Sequence, residues 1–203
     1  MQLAPRWLDR NLSRLELIVS VTIIMLFIGA FVQHMLIVVA HAERSMVDRT
    51  VTNINTSLKY HAVFDLMKED YRDLAKMGST NPMSHMQGEQ MDQLLSEGRV
   101  KPDQVTSGNI DLLRPGNYIG EFAEPDPTAV PKGSWYYDTG RRQLVYIVRN
   151  TEFFSSDLPG VPRLRFRVKI DYTDIDGNGK FDPPADEYRS VHLQSMDRYE
   201  WAI

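Results

Sequence analysis

Leu17-Ile-Val-Ser-Val-Thr-Ile-Ile-Met-Leu-Phe-Ile-Gly-Ala-Phe-Val-Gln-His-Met-Leu-Ile-Val-Val-Ala40 runs for 24 residues without one Asp, Glu, Lys or Arg. At about 1.5 Å per residue, a helix of that length reaches about 36 Å and crosses a bilayer core with some tilt. The remainder of the 203-residue chain is unlike it. Charged residues make up 25% of the whole, and about 160 residues follow the apolar run, the usual size of one domain. A wholly soluble single domain is therefore not expected.

The flanks orient the segment. Arg6, Arg10 and Arg14 precede it against Asp9 and Glu16, whereas Glu43, Arg44, Asp48 and Arg49 beyond it balance. The positive-inside bias places residues 1–14 in the cytoplasm as a basic leader, 15–41 across the membrane and the larger part outside. A secretory signal peptide has a shorter apolar core, about 7–15 residues, and a small-x-small cleavage site. Ala40-His-Ala42 leads straight into further helical pattern, so the segment is expected to remain as an anchor.

Beyond the span, Val47, Val51, Ile54, Leu58, Ala62 and Leu66 recur at three- and four-residue spacing, an apolar stripe on a polar helix. Neither Pro nor Gly interrupts from Ala30 to Met77, and Gly78 and Pro82 offer a stop. The spacing predicts one helix of roughly 60 residues, with residues 42–77 as its amphipathic continuation. That stripe needs a surface to lie on, most simply a sheet.

Residues 78–203 read as an α+β domain. A loop-rich stretch over residues 79–133 carries Met83, Met86 and Met91 and six prolines; a short helix fits near Gln90–Ser96. Such length without regular structure points to a function or to an unrecognised element. Ser134-Trp-Tyr-Tyr-Asp138 and Gln143-Leu-Val-Tyr-Ile-Val148 flank a turn and predict a hairpin. Arg163-Leu-Arg-Phe-Arg-Val-Lys-Ile170 alternates basic with apolar, placing Leu164, Phe166, Val168 and Ile170 on the buried face. Glu187 to Ser195 supplies a fourth strand, and the whole predicts a long helix packed on a small antiparallel sheet.

Composition excludes several functions. The net charge is −4 and the sequence pI about 5.7, which leaves no basic footprint for nucleic acid. Cysteine is absent, so disulfides, thiolate nucleophiles and sulfur-ligated metals are excluded. No nucleophile elbow, phosphate-binding Gly-rich loop or paired catalytic carboxylates appear, and a non-enzymatic protein is expected. His61, His85 and His192 are scattered and suggest no zinc site. The C-terminal Tyr199-Glu-Trp201-Ala-Ile203 is an aromatic tail suited to docking on the domain or on a partner.

The sharpest local signal is the Asp-rich stretch 174–187. Asp174, Asp176, Asn178 and Asp182 stand at positions 1, 3, 5 and 9 of a Ca²⁺-loop pattern, Lys180 supplies a backbone carbonyl at position 7, and Gly179 fills the sixth. Ala185 stands where the bidentate Glu of an EF-hand belongs, and Asp186 or Glu187 can replace it. A structural Ca²⁺ is one reading. An Asp/Gly-rich turn joining two strands is the other.

Within the span, polar groups are costly and so invite a role. Gln33 and His34 lie in its outer third. His34 can face a partner helix or ligate a metal-centred pigment, or simply sit wetted at the outer interface, about 27 Å from Glu16. Ser20 and Gly29 offer small-residue contacts for a neighbouring helix.

The apolar helix with Glu16 in Leu15-Glu16-Leu17-Ile18, its amphipathic continuation from Ala42 to Leu58, Asn81-Pro82, Asn117-Tyr-Ile-Gly120, and Gly133-Ser-Trp-Tyr-Tyr-Asp138 with Leu144-Val-Tyr146 together resemble the type IV pilins and the pseudopilins of type II secretion. The resemblance covers about residues 10–148. It implies a pilin-like fold, a bacterial inner-membrane protein with a periplasmic domain, and lateral assembly with transmembrane helices of other subunits in a hetero-oligomer. It also implies a role for Glu16, which in filament-forming relatives pairs with a neighbour's N-terminal amine; pairing with Arg10 or Arg14 is the alternative. This chain has Asn11 and Leu12 where the family's cleavage site carries Gly and an aromatic, which argues against processing. Three assemblies follow as expectations: a pilus or secretion machine, an accessory role in a photosynthetic or respiratory membrane complex, and, less favoured, a periplasmic ligand sensor.

Overall fold

A computed structural model of the chain describes residues 6–69, 71–86 and 114–203. It is of α+β class. Residues 1–42 with 203 form one compact unit and residues 43–202 a second. Helix α1, Arg6–Met67, contributes to both. Its length matches the expected helix of about 60 residues, but its end does not. The helix stops ten residues before Met77 because the chain turns at Glu69, whose φ of +57° is left-handed. The Glu69 amide donates to the Leu66 carbonyl at 3.2 Å and closes the last turn. A glycine is the usual residue in that conformation. A short helix α2, Tyr71–Lys76, follows, and 3₁₀ turns carry the chain through Met77–Ser79 and Pro82–His85. The helix expected near Gln90–Ser96, and Met91 with it, lies outside the described residues.

Among the described residues of the unit 43–202, seven strands form two sheets: β1 Tyr118–Phe122, β2 Trp135–Asp138, β3 Gln143–Ile147, β4 Phe154–Ser156, β5 Arg163–Thr173, β6 Glu187–Ser195 and β7 Tyr199–Trp201. The larger sheet has the order β1-β2-β3-β5-β6. Its β2–β3 hairpin, β3–β5 and β5–β6 ladders are antiparallel, but β1 runs parallel to β2. The sheet is mixed, not antiparallel as expected. A five-residue strand holding Gly120 at φ +115° gives little strand signal of its own. Strands β4 and β7 pair separately, so the aromatic tail docks on Phe154 through Trp201, ring centroids 5.0 Å apart.

Both faces of β2 and β3 are buried. On one face Trp135 lies against Tyr146 and Phe166, with centroids 4.9 and 5.9 Å apart, and Leu144, Leu164 and Val168 are buried with them. Val47, Ile54, Leu58 and Ala62 of α1 are fully buried, as their spacing predicts, while Val51 and Leu66 are half-buried. Glu43 and Asn55 of α1 hydrogen-bond the sheet: Glu43 accepts from Tyr146, and Asn55 Oδ1 accepts the Leu193 amide at 2.7 Å. The opposite face is covered by chain, with Val130 and Val161 packed on Tyr136, Val145 and Ile147.

Candidate functional site

Three arrangements stand out. The first is the apolar surface of α1. The helix is long and apolar enough to cross a membrane, and none of its apolar window is buried. Leu17, Leu26, Phe27 and Phe31 are exposed, Phe27 by 73%. Each such side chain left in water forgoes about 1.5–3 kcal/mol, and a contiguous apolar surface of this extent marks a membrane or a partner. This helix is a candidate membrane anchor. Ser20, Gln33 and His34 are exposed on it, and a side chain built at Gly29 meets open space. Glu16 is exposed and forms no ion pair among the described residues.

The second arrangement is the Asp-rich loop between β5 and β6. Carboxylate oxygens of Asp174, Asp176 and Asp186 lie within 4.8 Å of one another. Two oxygens sharing one Ca²⁺ at about 2.4 Å are at most about 4.8 Å apart, so this spacing fits one cation. The loop is built by side chains accepting backbone amides. Asp174 takes Gly177 N at 2.7 Å and Gly179 N at 2.8 Å; Asp176 takes Asn178 N at 3.1 Å. Both glycines have positive φ, 74° and 75°, which lets the chain wind back on Asp174. The Gly179 amide, followed by that of Gly177, holds the exposed Asp174 carboxyl below its ordinary range. Asp186 is buried and ties the two ends, accepting Ile175 N at 3.0 Å and Asp182 N at 3.1 Å. It therefore comes to the place that Ala185 leaves without a donor.

The remaining predicted ligands approach differently. The Asn178 amide nitrogen donates to Asp176 at 2.8 Å and to both Asp182 oxygens at 3.0 and 3.1 Å. A weakly positive amide thus bridges two carboxylates, a place where a cation is electrostatically favoured. Asn178 Oδ1 accepts the Lys180 amide at 2.7 Å. Only the carboxylate oxygens of Asp174, Asp176 and Asp186 come together as a set that suits a hard cation, since Asn178 turns its nitrogen and not its oxygen toward them.

The third arrangement was not signalled as a site. Glu43 is only 7% exposed, and four donors converge on its carboxylate. Tyr146 Oη and Arg149 N reach Oε1 at 2.8 and 2.7 Å; Asn150 N and Nδ2 reach Oε2 at 2.9 and 2.6 Å. Burial, then the bond to Glu43, pushes the Tyr146 hydroxyl far above its ordinary pKa, so it stays protonated and keeps its donor for Glu43. The signal was present: continuing the 47–54–58 stripe back by four residues lands on Glu43. About 27 Å further along α1, two of the scattered histidines meet. His61 and His85 rings are 5.1 Å apart, and His61 Nε2 lies 2.9 Å from the His85 carbonyl, which also accepts the Ser57 hydroxyl.

Comparison with protein-family models, with curated proteins and with solved structures finds no match.

Proposed function

We propose that this chain is a non-enzymatic, single-pass, pilin-like structural subunit of a bacterial inner membrane, assembling through its N-terminal helix with other membrane proteins. The observation that carries the reading is the unburied apolar surface of α1, in a chain that also holds a separate compact unit at 43–202. The helix provides the anchor and the lateral contact; the folded unit, on the periplasmic side, covers or bridges neighbouring subunits. Ser20 and Gly29 allow close helix approach, and Gln33 and His34 supply polar contacts at the outer end. Asn11 and Leu12 favour a chain whose leader is not removed, which suits a permanent accessory subunit of a larger membrane complex better than a filament subunit.

The Asp-rich loop is the structural Ca²⁺ site of this reading. Asp174, Asp176 and Asp186 hold the ion, with Asn178, Asp182 and the Lys180 carbonyl completing its shell. The ion neutralises carboxylates and stiffens the β5–β6 connection; it takes no part in a reaction.

Affinity purification of the full chain in mild detergent tests the assembly. Co-isolation of membrane subunits, weakened by Gly29→Leu, is expected. A lone monomer recovered from its native membrane would sink the proposal, and a chain beginning at Leu12 would overturn the retained leader.

A further inference from the structure

On the sheet face away from Glu43, strands β2, β3 and β5 set Tyr136, Val145 and Arg165 in one cross-strand row, with Asp138 and Gln143 paired beside it. A cavity of about 310 Å³ opens there, lined by Tyr136, Gln143, Arg141, Arg163, Arg165 and Pro127 among others. Two of its walls are polar groups on buried residues without protein partners. Tyr136 is 2% exposed and Gln143 5%. Among the described residues neither the Tyr136 hydroxyl nor the Gln143 amide is hydrogen-bonded, and neither is sealed from the cavity. Both groups therefore face the cavity with their hydrogen-bonding capacity open to water or to a ligand.

The charges say which partner. Arg141 is held by Asp138, Nη1 to Oδ2 at 3.2 Å. Arg165 is held by Asp197, Nε to Oδ2 at 2.8 Å and Nη2 to Oδ1. Arg163 Nη1 donates to the carbonyls of Pro159 and Val161 at 3.2 and 3.0 Å and meets no carboxylate among the described residues. Three guanidiniums against two carboxylates leave one positive charge uncompensated. A single monoanion balances it, whereas a phosphate dianion would place a second negative charge beside Asp138 and Asp197. A guanidinium fork matches the plane of a carboxylate, and the volume lies at the small end of ligand sites, fitting one short acidic group.

We propose that this cavity is a binding site for a single carboxylate group, paired with Arg163 and hydrogen-bonded by the Tyr136 hydroxyl and the Gln143 amide. The site lies entirely within residues 43–202 and does not rest on the membrane reading. The carboxylate comes either from a small free acid or from an acidic side chain of a neighbouring polypeptide.

Titration calorimetry of the full chain in mild detergent, at constant ionic strength, separates these. Propionate, the blocked peptide N-acetyl-Gly-Glu-Gly-amide and inorganic phosphate serve as probes. Saturable carboxylate binding is expected, weakened about tenfold or more by Arg163→Gln and about three- to tenfold by Tyr136→Phe. Circular dichroism should show both variants folded. A peptide bound tenfold tighter than propionate assigns the site to a protein carboxylate, and equal or tighter propionate binding assigns it to a free acid. Phosphate binding as tightly as either carboxylate overturns the proposal. So does unchanged affinity in both variants, or no saturation below about 50 mM.

Discussion

The Tyr146 hydroxyl donates to the Glu43 carboxylate at 2.8 Å, joining residues 103 apart in sequence. The contact is buried, and the same carboxylate collects the amides of Arg149 and Asn150 just after β3. A single acidic side chain on α1 thus satisfies the backbone at the end of a central strand.

Glu43→Gln should therefore cost more than its small change in shape suggests. One amide group would present donors to donors, and a buried unmatched polar group costs about 1–3 kcal/mol. We expect a loss of about 3 kcal/mol for Glu43→Gln and about 1 kcal/mol for Tyr146→Phe, which leaves three of the four donors in place. Denaturant unfolding of the full chain in detergent measures both. Equal losses would show that the carboxylate is not the shared acceptor.

The acidic loop separates structure from ion binding by residue. Asp186 is buried and holds two backbone amides, whereas Asp176 is exposed and serves mainly Asn178. Asp186→Ala should lose about 1–3 kcal/mol without any metal. Asp176→Ala should lose little stability, yet abolish the rise in thermal midpoint produced by millimolar Ca²⁺. If the native chain shows no Ca²⁺-dependent rise, the loop is a turn and nothing more.

These cases show what was legible beforehand. The amphipathic half of the helix, β5 and β6 were readable because their apolar residues keep one period, as Leu164, Phe166 and Val168 do, and the β2–β3 hairpin because two aromatic and β-branched runs flank a turn. The parallel β1 was not, since a short strand with a central glycine has no period to show. Nor was the end of α1: Glu69 adopts a left-handed conformation that its residue type does not advertise. The clustering of Asp174, Asp176 and Asp186 follows their spacing, whereas the donors that meet Glu43 and the His61–His85 contact depend on distant segments coming together.

Arg142 illustrates the same hidden backbone cost. It closes the β2–β3 turn at φ +53°, with its side chain exposed, a conformation unfavourable for a residue with a Cβ by about 1 kcal/mol. Gly140 beside it is fixed for another reason, because a Cβ there would come within 2.6 Å of Glu124. Arg142→Gly should raise stability by about 0.5–1 kcal/mol and Gly140→Ala should lower it. The thermal midpoints of the two variants should move in opposite directions; a shift of the same sign refutes this account of the turn.

His85 gives the fold a pH dependence whose sign is fixed by its surroundings. Burial, reinforced by the charge of His61 and opposed by Asp73, lowers its pKa from the ordinary 6.5 to about 4. Its Nε2 lies 3.2 Å from the Thr80 hydroxyl, a contact that suits the neutral ring. On unfolding, the ring regains its ordinary affinity and takes up a proton. Below pH 6.5 the unfolded chain therefore binds more protons than the folded one, and stability falls as pH drops toward about 4. Above pH 6.5 this contribution is fully present. Carboxylates titrate near the lower limit as well, so the comparison is with His85→Gln, which cannot take up the proton. Between pH 6.5 and 4 the thermal midpoint of the native chain should fall more steeply than that of the variant. Parallel curves would mean that His85 is protonated alike in both states and that its burial carries no linkage.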